Sequence, residues 1–223
     1  MGSIFFNLQY MNSVEGLSGN LFSPEWLKYY HDTPENIRKL EGIQVYMGVD
    51  PVATSKKTSD YFCIATIAYS SIERKSYLLD ILRTKASPLH QMELLEQQAS
   101  IWDPTLIAVE TNAMQVLFKD LLQRDTPLPI RGVLSTTSKE TRFIKMSSMF
   151  ESGKVLLPIN NESMQPFISE WNSFPRGKTD DVLDGVDMAL SLVPSNAPPA
   201  YSKDMEFPVP IYNARERSFS IFR

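Results

Sequence analysis

Three short segments of this chain each set an acid at the end or mouth of an apolar run. They are Tyr46-Met47-Gly48-Val49-Asp50, Leu106-Ile107-Ala108-Val109-Glu110 and Asp180-Asp181-Val182-Leu183-Asp184. The first two read as buried strands that end in a carboxylate. The third reads as the start of a helix that opens on two carboxylates. Asp and Glu are rarely buried unless paired or bound to a cation. Three converging acids repel one another, and a divalent metal removes that cost. The pattern therefore points to metal-dependent phosphoryl transfer, with Asp181 brought by its helix to the strand ends of Asp50 and Glu110. Magnesium takes oxygen ligands and often bridges to substrate phosphates. Two such ions about 3.5–4 Å apart can serve an in-line displacement.

Each acid also has a plainer explanation. Asp50 stands before Pro51 and suits a turn. Glu110, followed by Thr111-Asn112, suits the cap of a following helix. Asp180 and Asp181 in a first helical turn gain about 0.3–1 kcal/mol each from the helix dipole. That gain accounts for one acid better than two adjacent ones. It leaves out Asp184, which lies one turn on, near the face of Asp181.

The elements that must position these acids follow from periodicity. Strands are expected at 44–50, 61–69 and 75–82. Helical spacing then runs from Pro88 to Trp102, and a short apolar strand from Thr105 to Glu110. A helix follows at Ala113–Gln123, a strand at Pro129–Leu134, and a helix at Lys139–Glu151 closed by Gly153. A strand at Lys154–Pro158, a helix at Ser163–Phe174 and a last helix from Thr179 to about Leu192 complete the series. Ser23-Pro24-Glu25 reads as the start of a short helix carrying Trp26, Leu27, Tyr29 and Tyr30. Three meandering strands followed by alternating helix and strand predict an α/β mixed sheet with helices on both faces. This is the layout of the ribonuclease-H-like fold. Residues 1–43 are expected as a lead-in or linker, 44–193 as the domain, and 194–223 as a proline-rich tail.

Composition sets the outer limits. The chain has 223 residues, 43% apolar and 22% charged, ordinary values for a globular domain. No apolar run approaches a membrane span, and the N-terminus lacks a signal-peptide layout. The one cysteine, Cys63, rules out an intramolecular disulfide framework and reads as a small core residue. With 22 basic and 26 acidic residues the net charge is −4, which argues weakly against constant tight DNA binding. It does not exclude a nuclease, because bound metal reverses the local sign of an acidic site. Gly177-Lys178-Thr179 imitates the end of a phosphate-binding loop, but position 172, where that motif needs glycine, is Asn172. His31 and His90 have no ligand spacing.

Gly48-Val49-Asp50-Pro51, Val109-Glu110-Thr111 and Thr179-Asp180-Asp181-Val182-Leu183-Asp184 together resemble the nuclease domain of the large terminase subunit of tailed bacteriophages. Lys139-Glu140-Thr141-Arg142, the run Phe150 to Pro158, and Phe174-Pro175-Arg176-Gly177 are similar to the same family in the same order. The resemblance spans about residues 44–193. It implies an endonuclease that cuts concatemeric viral DNA during genome packaging in the host cytoplasm. It implies two Mg²⁺ or Mn²⁺ ions held by Asp50, Glu110 and Asp181. Asp180 would be an auxiliary ligand or structural neighbour, and Asp60 and Asp184 accessory acids. In that family an ATPase motor precedes the nuclease. No Walker motif stands here, so the chain is expected to be an isolated nuclease domain that does not use ATP. Its partners would be double-stranded DNA, the ATPase domain, the portal and the small terminase subunit. Lys56, Lys57, Lys139, Arg142, Arg176 and Lys178 are the expected contacts to DNA phosphates. The competing readings are a RuvC-like junction resolvase, a sugar-kinase or actin-like ATPase, and a catalytically silent packaging scaffold.

Overall fold

The computed structural model describes residues 21–52, 61–111, 116–134 and 136–194. Asp60, Lys56, Lys57 and nearly all of the proline-rich tail lie outside these residues.

Seven strands form one sheet: β1 (Lys28–Tyr30), β2 (Ile43–Asp50), β3 (Phe62–Ser70), β4 (Lys75–Thr84), β5 (Leu106–Glu110), β6 (Ile130–Val133) and β7 (Val155–Pro158). Their order is β1-β7-β4-β3-β2-β5-β6. Only β3 runs against its neighbours; β1, β7, β5 and β6 join through parallel pairs. The expected antiparallel meander followed by parallel strands is thus present. The helices are α1 (Pro34–Arg38), α2 (Pro88–Trp102), α3 (Val116–Asp125), α4 (Lys139–Glu151), α5 (Gln165–Ser173) and α6 (Asp181–Ser191).

Alternation along β2 assigns the two faces. Val45, Met47 and Val49 join Ile37 of α1, Leu95, Ala99 and Trp102 of α2, and Phe118 and Leu122 of α3 in one core. Tyr46 joins the opposite core with Phe143 and Phe150 of α4, Phe167 and Trp171 of α5, and Val182, Val186 and Ala189 of α6. Helices therefore cover both faces, as the pattern predicts.

The N-terminal part differs from expectation. Pro24–Trp26 makes only one 3-10 turn, and Ser23 gives it no side-chain cap. Tyr29 and Tyr30 lie on the edge strand β1, in parallel register with Leu157 and Pro158 of β7. Tertiary partners override the local helix signal here. The Ser23 carbonyl accepts the Trp171 indole N–H at 3.0 Å, and the Tyr30 hydroxyl donates to the Leu78 carbonyl at 2.6 Å. Phe22 is fully buried, stacked on Trp171 at 4.2 Å between ring centres. Residues 21–43, expected as a lead-in, thus add a strand and part of the core to this sheet. Helix α1 was not foreseen, although Thr33-Pro34 is a start signal and the Thr33 hydroxyl accepts the Asn36 N–H.

The last helix crosses β2 backbone to backbone. A Cβ on Gly48 would stand 2.0 Å from the Gly185 carbonyl oxygen and 2.5 Å from the Ala189 nitrogen. A Cβ on Gly185 would meet the Cys63 sulfur at 3.2 Å. The crossing requires glycine at position 48, while at position 185 it leaves only tight room beside the Cys63 sulfur. Since the atoms met by Gly48 are backbone, relief requires moving the whole helix. Gly48→Ala is accordingly expected to cost about 1–3 kcal/mol. For a chain of this size that lowers the melting temperature by about 2–4 °C per kcal/mol. An unchanged melting temperature by calorimetry would show that α6 is not held at this distance.

Candidate active site

The crossing decides where the acids go. Gly48 faces α6, so Asp50, two residues on, projects from the same face at the carboxyl end of β2. In β5, Ala108 belongs to the core beneath α6, and Glu110, two residues on, shares that face. The parallel register pairs Val49 with Val109, which sets Asp50 and Glu110 in step on adjacent strands. Strands in a sheet lie about 4.8 Å apart. On α6, Asp181 precedes Gly185 and Ala189 by one and two turns, and these are the residues that meet Gly48. Asp181 therefore heads the stripe that lies on the sheet. Its carboxylate accepts the backbone N–H of Tyr61 at 3.3 Å, at the start of β3 beside the end of β2.

The acids act on one another. Burial first, then the charges of Asp184, Glu110 and Asp181, push the Asp50 carboxyl well above the usual carboxylate range, while Lys139 works the other way. Among the described residues, no group of three or more His, Cys, Asp or Glu side chains is placed closely enough to hold a metal ion by itself. Asp50, Glu110 and Asp181 offer hard carboxylate oxygens at the carboxyl ends of β2 and β5 and at the head of α6. Magnesium suits such a set because it keeps several waters and leans on one or two carboxylates plus substrate phosphates.

The remaining acids of α6 are engaged by α4. Lys139 bonds Asp180 at 2.8 Å and Asp184 at 2.6 Å. Arg142 bonds Asp184 at 2.9 Å and Asp187 at 2.5 Å. Burial opposes the charge on Lys139, but Asp184 and Asp180 outweigh it and raise its ammonium group above the ordinary lysine range. Lys139 and Arg142, two of the six basic residues expected on DNA phosphates, thus hold the acidic helix in place. Asp184, expected as an accessory acid, is buried and serves as the hub between them. Arg176 and Lys178 are exposed in the turn that leads into α6. Cys63 pairs with Asp50 across β2 and β3, and burial followed by the Asp50 charge pushes its thiol well up, which suits a core residue and no nucleophile.

Two buried polar residues beside the site carry no functional signal in the sequence. Gln91 of α2 is fully buried, and its amide group donates to the carbonyls of Val52 and Ala86, each at 2.9 Å, and accepts the Val52 N–H at 3.2 Å. It fixes the chain just beyond Asp50. Glu170 of α5 is 3% exposed and bonds the first turn of α6. A Gln or Glu on an apolar helix face is the local signal of burial for each. Their partners, 39 and 12 residues away, have no such signal.

Strand order and site together define an RNase H-like α/β domain. Residues 47–192 match the family model of the terminase RNase H-like domain, and the chain belongs to that family. Among solved structures, the large terminase nuclease from thermophilic phage G20c with bound magnesium is similar at 15% identity and a TM-score of 0.60, covering 78% of this chain and 98% of that one. The P22 large terminase nuclease domain gives 13% identity and a TM-score of 0.59, covering 78% and 91%. The large terminase from a further thermophilic bacteriophage gives 10% and 0.58, covering 78% of this chain and 44% of that one. At these identities the likeness concerns the fold. No curated protein matches the chain in sequence.

Proposed function

We propose that this chain is a metal-dependent endonuclease domain that cuts concatemeric viral DNA during genome packaging. The observation that carries the reading is the group of acids around Asp50, whose mutual repulsion a cation would relieve. Asp50 and Glu110 from the strand ends and Asp181 from α6 would hold two Mg²⁺ or Mn²⁺ ions. Asp180, which shares Lys139 with Asp184, supports them. When bound, such ions supply a nucleophile at neutral pH and stabilise the charge that builds on the leaving oxygen.

The chain's own residues do the rest. The Gly48–Gly185 crossing and the α4 ion pairs hold the acids on one rigid edge. Arg176 and Lys178, with Lys56 and Lys57, would meet backbone phosphates. Lys139, still 37% exposed, can reach a phosphate only at the expense of its two acids. Contacts of this kind read no sequence, as packaging of any genome requires, and weaken steeply with salt. The magnesium in the G20c nuclease supports the choice of ion. The match to only 44% of the longer phage large terminase supports a place beside an ATPase domain in a larger subunit, acting with a portal and a small subunit in the host cytoplasm. Among the described residues no helix is long and apolar enough to cross a membrane.

The test is cleavage of linear duplex DNA with Mn²⁺ against EDTA. Cutting with Mn²⁺, abolished by chelation and insensitive to sequence, is expected. No cutting under any metal would indicate a scaffold, and strong preference for four-way junctions would indicate a resolvase.

A further inference from the structure

Helix α6 opens on two acids, yet the one at its N-cap position does not cap it. Asp180 makes no side-chain bond to the helix and has φ −144° and ψ 18°. Its carboxylate is turned to Lys139 instead. The first N–H groups of a helix need acceptors, and an Asp at the N-cap is an ordinary source. Here the acceptor comes from another helix. One carboxylate oxygen of Glu170 accepts the N–H of Val182 at 2.9 Å and of Leu183 at 3.2 Å. The other accepts the Thr179 hydroxyl at 3.0 Å.

This contact continues back to Asp181. The Thr179 hydroxyl also accepts from the Arg83 guanidinium at 2.9 Å. Arg83 approaches Glu170 at 3.8 Å and stacks on the Tyr61 ring, 3.8 Å from its centre. The Tyr61 N–H in turn donates to Asp181. The ends of β3 and β4, the turn before α6 and the first turn of α6 are thus tied into one loop of contacts around a buried carboxylate. A buried Glu is an expensive cap when Asp180 is available. What the arrangement gains is that the Asp180 carboxylate is left to Lys139 while Asp181 stays on the site.

We propose that Glu170 is a positioning residue of the metal site: by capping α6 in trans it leaves Asp180 to Lys139 and fixes the placement of Asp181. This rests on the nuclease reading above only for the identity of the reaction; metal binding by the acids is measured directly. A residue that merely stabilises the fold would lower the melting temperature and leave metal affinity alone.

The experiment compares wild type with Glu170→Gln, which keeps the shape and weakens a charge-assisted cap. Hydrogen exchange at the Val182 and Leu183 amides reports the cap, calorimetric titration with Mn²⁺ reports the site, and duplex cleavage reports the reaction. Faster exchange at both amides together with Mn²⁺ affinity reduced about 10–100-fold is expected, the range typical of residues that orient ligands. Should Glu170→Gln fail to fold, Thr179→Val breaks the same circuit and is expected to weaken Mn²⁺ in the same direction. Wild-type Mn²⁺ affinity in the variant that folds overturns the positioning role. A wild-type chain that binds Mn²⁺ but leaves DNA uncut overturns the nuclease reading alone, and the Mn²⁺ comparison then still decides the role of Glu170.

Discussion

Asp50→Asn is expected to lower duplex cleavage more than about 100-fold while the metal-free protein melts at a higher temperature than wild type. The activity loss follows from removing a ligand, which should exceed the 10–100-fold typical of residues one step behind the ligands. The stability gain follows from charge. Burial and the nearby acids Asp184, Glu110 and Asp181 raise the Asp50 carboxyl in the fold. A raised acid is fully compatible with the folded state below its unfolded value, about 3.9, and costs stability as pH climbs through its folded value. Asn keeps the shape and carries no charge. The two proteins should therefore melt alike near pH 3–4, and the variant should gain above that. A gain of about 1 kcal/mol would appear as about 2–4 °C. Calorimetry of the metal-free protein from pH 3 to 8, paired with a cleavage assay, checks both halves. A variant that cuts like wild type removes Asp50 from the site. A variant that melts lower at neutral pH shows that the acids around it are not in conflict.

Asp181→Ala is expected to abolish cleavage at every attainable Mn²⁺ concentration, whereas Asp180→Ala should keep residual activity and need about 10–100-fold more metal. Asp181 is the first helical residue and Asp180 the N-cap with non-helical backbone, so the two carboxylates leave the chain in different directions. Asp181 heads the stripe through Gly185 and Ala189 that lies on β2. Asp180 is turned toward α4 and bonds Lys139. Titrating Mn²⁺ against both variants separates them. Rescue of Asp181→Ala by added metal, with Asp180→Ala inactive throughout, would exchange the two roles.

Much of this architecture is legible without coordinates because it is written in short-range pattern. Alternation in β2, continuous burial in β3 and helical spacing in α2 and α4 each follow from residues a few positions apart. The ordering of those elements then forces parallel strand ends to one edge, which is where Asp50 and Glu110 stand. Leu106 to Glu110 needed nothing beyond its own five residues to be read as a strand ending in an acid.

Long-range pairing decided the rest. Ser23-Pro24-Glu25 carries a sound helix-start signal, yet the stacking of Phe22 on Trp171 and the register of β1 with β7 prevail, because a strand edge and an aromatic core outweigh one cap. Lys139 and Arg142 look like phosphate contacts in sequence, since charge says nothing of its partner. Only the packing of α4 beside α6 shows them holding Asp180, Asp184 and Asp187. Gly48 and Gly185 are ordinary glycines until the helix is laid across the strand. Glu170 is one acid among 26 acidic residues until Val182 and Leu183 turn their amides to it. Residue type and local period determined which groups could do chemistry and which elements carry them. Tertiary structure alone decided which charges neutralise one another and which are left facing the site, because a carboxylate's role is set by what desolvates and contacts it.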